Sequence, residues 1–387
     1  MSVYLDYNAT TPLDRRVLDT MMPFLCEQFG NASSGHQSGR IARAAMDVAR
    51  EQVAALVNAH PSQVIFTSGG TEANNLALKG CAARLTSGHI ILSGVEHSSV
   101  RSPANVLKKD GWTLDEIGVD ADGRLVIENL HTIFSGMSAG SAKILAVMLA
   151  NNETGIVYES TPVAALARDF GAMLLVDAVQ AAGKIPVDFA HSGAQFMSLS
   201  AHKIYGPKGA GALIVDKAVD IEPMLYGGGQ EKARRAGTEN VAAIVGFGKA
   251  AELALSELST RHEQAQTLRH YLETRLRSEL PQVCIFGQQA ERLPNTSFFA
   301  LPGLDGETLL MSLDQAGLAV SSGSACGTGN VEPSYVLLAM GVSPEHARGA
   351  IRVSLGKESH RDEIDSFIDC LKQQVRVLQS FAAVACA

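Results

Sequence analysis

Five short runs of almost unbroken apolar residues, separated by stretches of helical periodicity, constrain this chain most. They are Gln63-Val64-Ile65-Phe66-Thr67, His89-Ile90-Ile91-Leu92, Ile144-Leu145-Ala146-Val147-Met148, Met173-Leu174-Leu175-Val176 and Gly211-Ala212-Leu213-Ile214-Val215. A strand with one wet face alternates apolar and polar residues, whereas a strand apolar throughout is covered on both faces. Such strands joined by helical segments predict an α/β fold with a large domain built on a mainly parallel, mixed sheet flanked by helices. Ligands of such a sheet gather beyond the carboxyl ends of its strands.

The texture changes after about Ala250. Leu268, Tyr271, Leu272, Leu276 and Leu280 form a helical stripe among charges, which predicts a boundary or lid helix. Asn295-Thr296-Ser297-Phe298-Phe299 and Ala350-Ile351-Arg352-Val353-Ser354 predict short strands. A closing amphipathic helix carries Ile364, Phe367, Ile368, Leu371, Val375 and Leu378 on one face, and Ser359 three residues before Asp362 predicts a capping box at its start. The expected division is a large domain over 15–255 and a smaller α+β domain made of 1–14 and 256–387. A length of 387 residues accommodates both.

Composition narrows the function classes. The formal net charge is -8 and no block of lysines and arginines stands out, which argues against nucleic acid as a partner. No signal peptide is expected from Met1-Ser2-Val3-Tyr4-Leu5-Asp6, and no apolar run is long enough to span a bilayer. The six cysteines (Cys26, Cys81, Cys284, Cys326, Cys370, Cys386) are scattered without a Cys-x-x-Cys pair. That pattern predicts neither a disulfide framework nor a metal site, and fits a cytoplasmic protein. Five of them read as ordinary small hydrophobes.

Several polar groups fall just beyond the predicted strands. Lys203, in Ser200-Ala201-His202-Lys203-Ile204-Tyr205-Gly206-Pro207, follows a β-like segment and precedes a turn. A lysine so placed reads either as a surface charge or as a carbonyl-capturing amine, which needs a setting that lowers its pKa. Gly69-Gly70-Thr71-Glu72 between strand and helix is a tight capped turn or a phosphate cradle. Asp177, with Gln180 beyond it, is a helix cap or the partner of a cationic ring nitrogen. His97 is a satisfied polar residue, an acid/base or a stacking group. Asn151-Asn152-Glu153-Thr154-Gly155 reads as a turn, and Arg352 as a surface charge or a carboxylate clamp. Cys326 lies between Ser321-Ser322-Gly323-Ser324 and Gly327-Thr328-Gly329, a polar glycine-rich loop that suits a thiol that must move and react, although an unimportant surface cysteine is the alternative.

The order of these motifs resembles that of the pyridoxal-phosphate cysteine desulfurases of the NifS/IscS type, from Tyr4-Leu5-Asp6-Tyr7-Asn8-Ala9-Thr10-Thr11-Pro12 to the last helix. The motifs that carry the resemblance include Gly70-Thr71-Glu72-Ala73-Asn74-Asn75, Glu96-His97, Asp177-Ala178-Val179-Gln180, His202-Lys203, Arg235-Ala236-Gly237-Thr238-Glu239-Asn240 and Ser324-Ala325-Cys326. The resemblance implies a fold-type I architecture, a homodimer, and pyridoxal 5'-phosphate linked covalently to Lys203. It implies that Asp177 pairs with the ring nitrogen, that Gln180 and Asn152 approach the ring oxygen, and that His97 stacks on the ring. Gly70, Thr71, Ser200 and His202 would hold the phosphate, joined by Thr238 of a second subunit. Arg352 and Asn152 would orient the carboxylate of L-cysteine, and Cys326 would take its sulfur as a persulfide, leaving alanine. His97 would shuttle protons.

The implied role is sulfur supply to an acceptor protein, such as an iron–sulfur scaffold. Selenocysteine lyase and a pyridoxal-phosphate-binding sensor or scaffold without turnover are the alternatives. Ala32, Gln230 and Gly327 depart from the family pattern at positions usually filled by proline, histidine and a hydroxyl residue. The end of the chain lacks the longer tail with which some members engage a scaffold. These departures touch acceptor recognition and remove no catalytic group.

Overall fold

A computed structural model describes residues 3–322 and 332–385 with the exception of 86 and 139; Cys326 lies outside the described residues. The five apolar runs become strands of one seven-stranded sheet. Its order is Val64–Thr67, Gly211–Val215, Phe196–Ser200, Met173–Asp177, Ala142–Met148, Gly88–Ser93, Thr113–Ile117. Gly211–Val215 runs antiparallel to both neighbours and the remaining pairs are parallel. The edge strand Thr113–Ile117 was not legible as an apolar run because only Ile117 is buried in it.

Both faces of the sheet are covered, which is why its central strands are apolar throughout. On one side, Val17, Met46 and Phe247 of helices Arg15–Cys26, Gln37–Leu56 and Val241–Ser256 join Val64, Leu145 and Leu174 in one cluster. On the other, Leu76 and Val100 of helices Gly70–Ala82 and Ser98–Lys109 pack with Ile90, Ile144 and Leu175. Fully burying each such aliphatic side chain is worth about 1.5–3 kcal/mol before the entropy of ordering is subtracted.

A separate cluster forms around a four-stranded sheet ordered Ser321–Ser322, Ala350–Ser354, Thr296–Ala300, Cys284–Ile285. Leu268, Leu272, Leu276 and Leu280 pack there against Phe299, Ile351, Phe367 and Leu371, so helix Leu258–Glu279 is a core element of this part, not a lid. The first residues belong to the same region: Val3–Tyr4 pairs in parallel with Leu318–Ala319.

Two local expectations are corrected. Ser359 does not cap the last helix, Arg361–Ala385; its Oγ accepts from Gly356 N at 3.0 Å, while His360 N donates to Glu363 Oε2 at 3.1 Å. A three-residue Ser–Asp spacing cannot distinguish a cap from a preceding turn that uses the same hydroxyl. Nor are the other cysteines uniformly buried: Cys81 is, but Cys26 and Cys284 are exposed. Among the described residues, no helix is long and apolar enough to cross a membrane.

Candidate active site

A cavity of about 370 Å³ opens beyond the carboxyl ends of the central strands. Its walls include Gly70, Thr71, His97, Asn152, Asp177, Gln180, Ser200, His202, Lys203 and Arg352. The sequence therefore dispersed over nearly 300 positions what the sheet gathers into one place.

Asp177 ends strand Met173–Asp177 and is buried. Its Oδ2 accepts from Asn74 Nδ2 at 2.8 Å and its Oδ1 from Val179 N at 3.0 Å, which fix the carboxylate. Asn74 donates also to Ser99 Oγ at 2.9 Å. Ser99 in turn lies 2.8 Å from Nδ1 of His97, which also accepts from Ser99 N at 3.1 Å. A main-chain N–H can only donate, so this Nδ1 is unprotonated. Burial pulls the His97 pKa below its ordinary value; Asp177 opposes that and Lys203 adds to it. The neutral ring then carries its proton on Nε2.

Lys203 ends the single turn Ala201–Lys203 that follows strand Phe196–Ser200. Its amine donates to the main-chain oxygens of Asn8 at 2.5 Å and Ala9 at 2.8 Å. Burial, reinforced by Arg352 and opposed by Asp6 and Asp177, lowers its pKa from 10.5 to about 8. A free amine is thus accessible near neutral pH, as carbonyl capture requires. Arg352, in strand Ala350–Ser354, donates from Nη2 to Asp6 Oδ1 at 2.6 Å and from Nη1 to Asn152 O at 2.9 Å. Its Nε is buried without a partner among the described residues.

The part of the cavity lined by Gly70, Thr71 and Ser200 suits an anion. Helix Gly70–Ala82 begins there after Gly69 with no side-chain cap, which leaves its first N–H groups open. A Cβ at position 70 would meet Val179 Cγ2 at 2.7 Å, so any larger residue there would push Val179 aside. Ser200 Oγ is buried there with no partner among the described residues. His202 Nδ1 lies 3.1 Å from Thr10 Oγ1. Burial, with Lys203 and Lys208, lowers its pKa to about 4, so it faces the cavity as a neutral imidazole.

Pyridoxal phosphate fits these residues. It needs anion donors at one end, a carboxylate at its ring nitrogen and an amine at its aldehyde, and the cavity offers an open helix start, Asp177 and Lys203. The orphaned oxygens of Ser200 and Asn152 mark positions where a bound group would complete the hydrogen bonding.

Thr238 is exposed and is not among the residues lining this cavity. Sequence reasoning had not singled out Asn8, Asn74, Ser99, Asp6 and Lys184. Asn8 is the largest omission. Its N donates to Ser354 Oγ and its Nδ2 to Asn152 O and Thr296 Oγ1, while its main-chain oxygen accepts from Gln180 Nε2 at 2.9 Å. Asp6, Asn8 and Asn74 stand inside motifs already noted, but their contacts are to residues remote in sequence. For Lys184 the i, i+4 spacing from Gln180 was an available signal.

The family model of class-V aminotransferases matches residues 3–367. A cysteine desulfurase IscS of Dictyoglomus turgidum is 41% identical over 382 residues, covering 98% of this chain and 96% of that one. A solved NifS-like protein superposes with a TM-score of 0.90 at 35% identity, covering 97% of this chain and all (100%) of its own. A solved structure of SspA in complex with cysteine aligns with a TM-score of 0.81 at 29% identity, covering 93% of this chain and 100% of its own. With the cavity, the amine and the fold in agreement with these matches, the chain belongs to the class-V aminotransferase family and is, within it, a pyridoxal-phosphate-dependent cysteine desulfurase.

Proposed function

We propose that this desulfurase transfers the sulfur of L-cysteine to Cys326 as a persulfide, releases alanine, and passes the sulfur to an acceptor protein such as an iron–sulfur scaffold. The observation that carries the reading is the convergence of the Lys203 amine, the Asp177 carboxylate and the Arg352 guanidinium on one cavity. Gly70, Thr71, Ser200 and His202 would hold the phosphate of the cofactor, Asp177 its ring nitrogen, and Gln180 with Asn152 its ring oxygen. His97 would lie on the ring. When bound, the cofactor supplies an electron sink for the carbon beside the substrate's amine.

The chain's own groups do the rest. Arg352 binds the substrate carboxylate, with its unpartnered Nε–H available beside the pair already made to Asp6. The Lys203 amine, once displaced by the substrate's, takes the Cα proton. The thiolate of Cys326 attacks the substrate's sulfur, so an S–S bond forms as the C–S bond breaks. The electron pair of that bond stays on carbon, which gains a proton to become the methyl group of alanine. The Nε2 proton of His97 is suitably held for delivery within the cavity.

In this reading Thr238 completes the phosphate site of a second copy. Large apolar side chains left in solvent support a homodimer: Phe29 is 87% and Tyr226 80% exposed. So does Glu239, beside Thr238, which is buried with neither carboxylate oxygen partnered among the described residues. The division into 15–255 and 1–14 with 256–387 belongs to the same proposal, and it has Asn8 and Arg352 reach the cavity from the smaller part.

Mass spectrometry of the purified holoenzyme after L-cysteine addition tests the reading. The Cys326 peptide should gain one sulfur, and Cys326→Ala should stop alanine release. Continued alanine release from that variant would fit a lyase that uses no protein nucleophile. Absence of alanine from the wild type under any reductant would fit a sensor or scaffold.

A further inference from the structure

Lys184 lies on the turn that follows strand Met173–Asp177, and its amine ends in the interior although its stem is half-buried. It donates to Gln180 Oε1 at 2.7 Å and to Asn8 Oδ1 at 2.9 Å. Both acceptors are neutral, and among the described residues no carboxylate pairs with it. Burial, reinforced by two further cations, Lys203 and Arg352, holds its pKa well below 10.5. The ring of His262, from helix Leu258–Glu279, approaches only its main-chain oxygen, at 3.1 Å. An amine kept in so unfavourable a place needs a reason beyond packing.

The reason lies in Gln180. Its amide has a donor end and an acceptor end, and the two would be interchangeable by a half-turn if nothing distinguished them. The main-chain oxygen of Asn8 can only meet the nitrogen, which it does at 2.9 Å, and the Lys184 amine donates to the oxygen at 2.7 Å. One N–H of Gln180 is therefore spent on Asn8, and the other is left for whatever occupies the cavity that Gln180 lines. Lys184 also grips Asn8 itself, whose main-chain oxygen receives the Lys203 amine. A single amine thus ties together the two residues that set the donor.

We propose that Lys184 is a positioning residue: it locks the Gln180 amide so that an N–H, not a carbonyl oxygen, faces the ring oxygen of the bound cofactor. This rests on the placement of Gln180 at that ring oxygen. A donor aimed there favours the anionic form of the oxygen and lowers the pH at which the bound cofactor loses its proton. Without Lys184, Gln180 Oε1 becomes a buried acceptor lacking its donor, and the amide is held by the Asn8 main-chain oxygen alone, so its orientation is less firmly fixed.

The test is a pH titration of the visible absorbance of the bound cofactor in holoenzyme, for wild type, K184M, Q180A and the double variant. K184M should raise the midpoint by about one pH unit, a tenfold change in the protonation constant. Q180A should raise it comparably, and the double variant should match Q180A alone, because Lys184 acts through Gln180. A wild-type midpoint in K184M alongside a shifted Q180A would overturn the proposal, and so would additive shifts, which would mean that Lys184 acts by its own charge. An unshifted Q180A would instead overturn the placement of Gln180. If K184M does not fold, K184Q, which keeps an N–H donor, should titrate nearer to wild type than Q180A does; a shift as large as that of Q180A would count against the role.

Discussion

Arg352 and Asp6, far apart in sequence, are joined by a 2.6 Å ion pair at the cavity wall, and Arg352 Nη1 is held at the same time by the main-chain oxygen of Asn152 at 2.9 Å. Asp6 follows strand Val3–Tyr4 and Arg352 lies in Ala350–Ser354, so the fold orients the guanidinium before any substrate arrives.

A pre-oriented fork should be sensitive to its shape as well as its charge. Arg352→Lys keeps the charge but loses the planar donor set, so the KM for L-cysteine should rise roughly 10- to 100-fold. The absorbance spectrum of the bound cofactor should stay as in wild type, since Arg352 is assigned to the substrate. Steady-state alanine production against cysteine concentration checks the first point. A normal KM in this variant would mean that another group takes the carboxylate.

Asn74 links the two groups proposed to meet the cofactor ring, for its Nδ2 donates to Asp177 Oδ2 at 2.8 Å and to Ser99 Oγ at 2.9 Å, and Ser99 sets the His97 tautomer. Asn74→Ala removes a hydrogen bond to a buried carboxylate and the donor to Ser99 Oγ. Pyridoxal phosphate affinity should fall about tenfold or more, by the weight of a hydrogen bond to a charged group. Equilibrium titration of the cofactor-free protein with pyridoxal phosphate measures it, and unchanged affinity would remove Asn74 from the site.

Why Asn74 escaped notice while Asp177 did not is a matter of what a sequence displays. Asp177, Lys203 and His97 announce themselves by falling directly after apolar strands, and the parallel sheet then brings strand ends together by construction. Asn74 sits one turn inside helix Gly70–Ala82, and Asn8 in an irregular stretch before the first helix, where position says nothing about direction. Their roles rest on contacts to residues remote in sequence, such as Asp177 for Asn74 and Thr296 for Asn8. The core was legible for the converse reason, since burial on both faces writes itself into every residue of a central strand. Thr113–Ile117, with one buried residue, carries no such signature.

The loop that leads to Thr238 is anchored by an ion pair between buried Glu231 and half-buried Arg50. Arg50 donates to both carboxylate oxygens of Glu231, at 2.7 and 2.8 Å, and Phe66 N donates to the same group at 2.9 Å. The anchor holds Glu231, Lys232 and Ala233 at φ of 43°, 59° and 61°, a left-handed run unusual for residues with a Cβ. Glu231→Gln should destabilise the protein by about 3 kcal/mol, because it leaves Arg50 uncompensated. Ala233→Gly should instead stabilise it by about 1 kcal/mol, by relieving the Cβ clash of that backbone region. Urea unfolding of the two variants beside wild type reads both signs, and destabilisation by Ala233→Gly would deny the left-handed conformation.

Glu96, beside His97, gives a pH dependence of defined sign. It is fully buried, Ser93 Oγ and Met148 N donate to its Oε1 at 2.5 and 2.7 Å, and its Oε2 has no partner among the described residues. Burial, reinforced by Asp177 and opposed chiefly by the Ser93 hydrogen bond, raises its pKa from 4.5 to about 8. Between those two values the folded protein holds a proton that the unfolded chain has lost, so stability falls as pH rises through the interval and levels off above about 8. Glu96→Gln keeps the acceptor oxygen and cannot ionise. It should match wild type near the lower limit and exceed it by on the order of a few kcal/mol above the upper one. Urea midpoints of both proteins at the two ends of the range test this, and a difference that does not change with pH would show that Glu96 is already ionised in the fold.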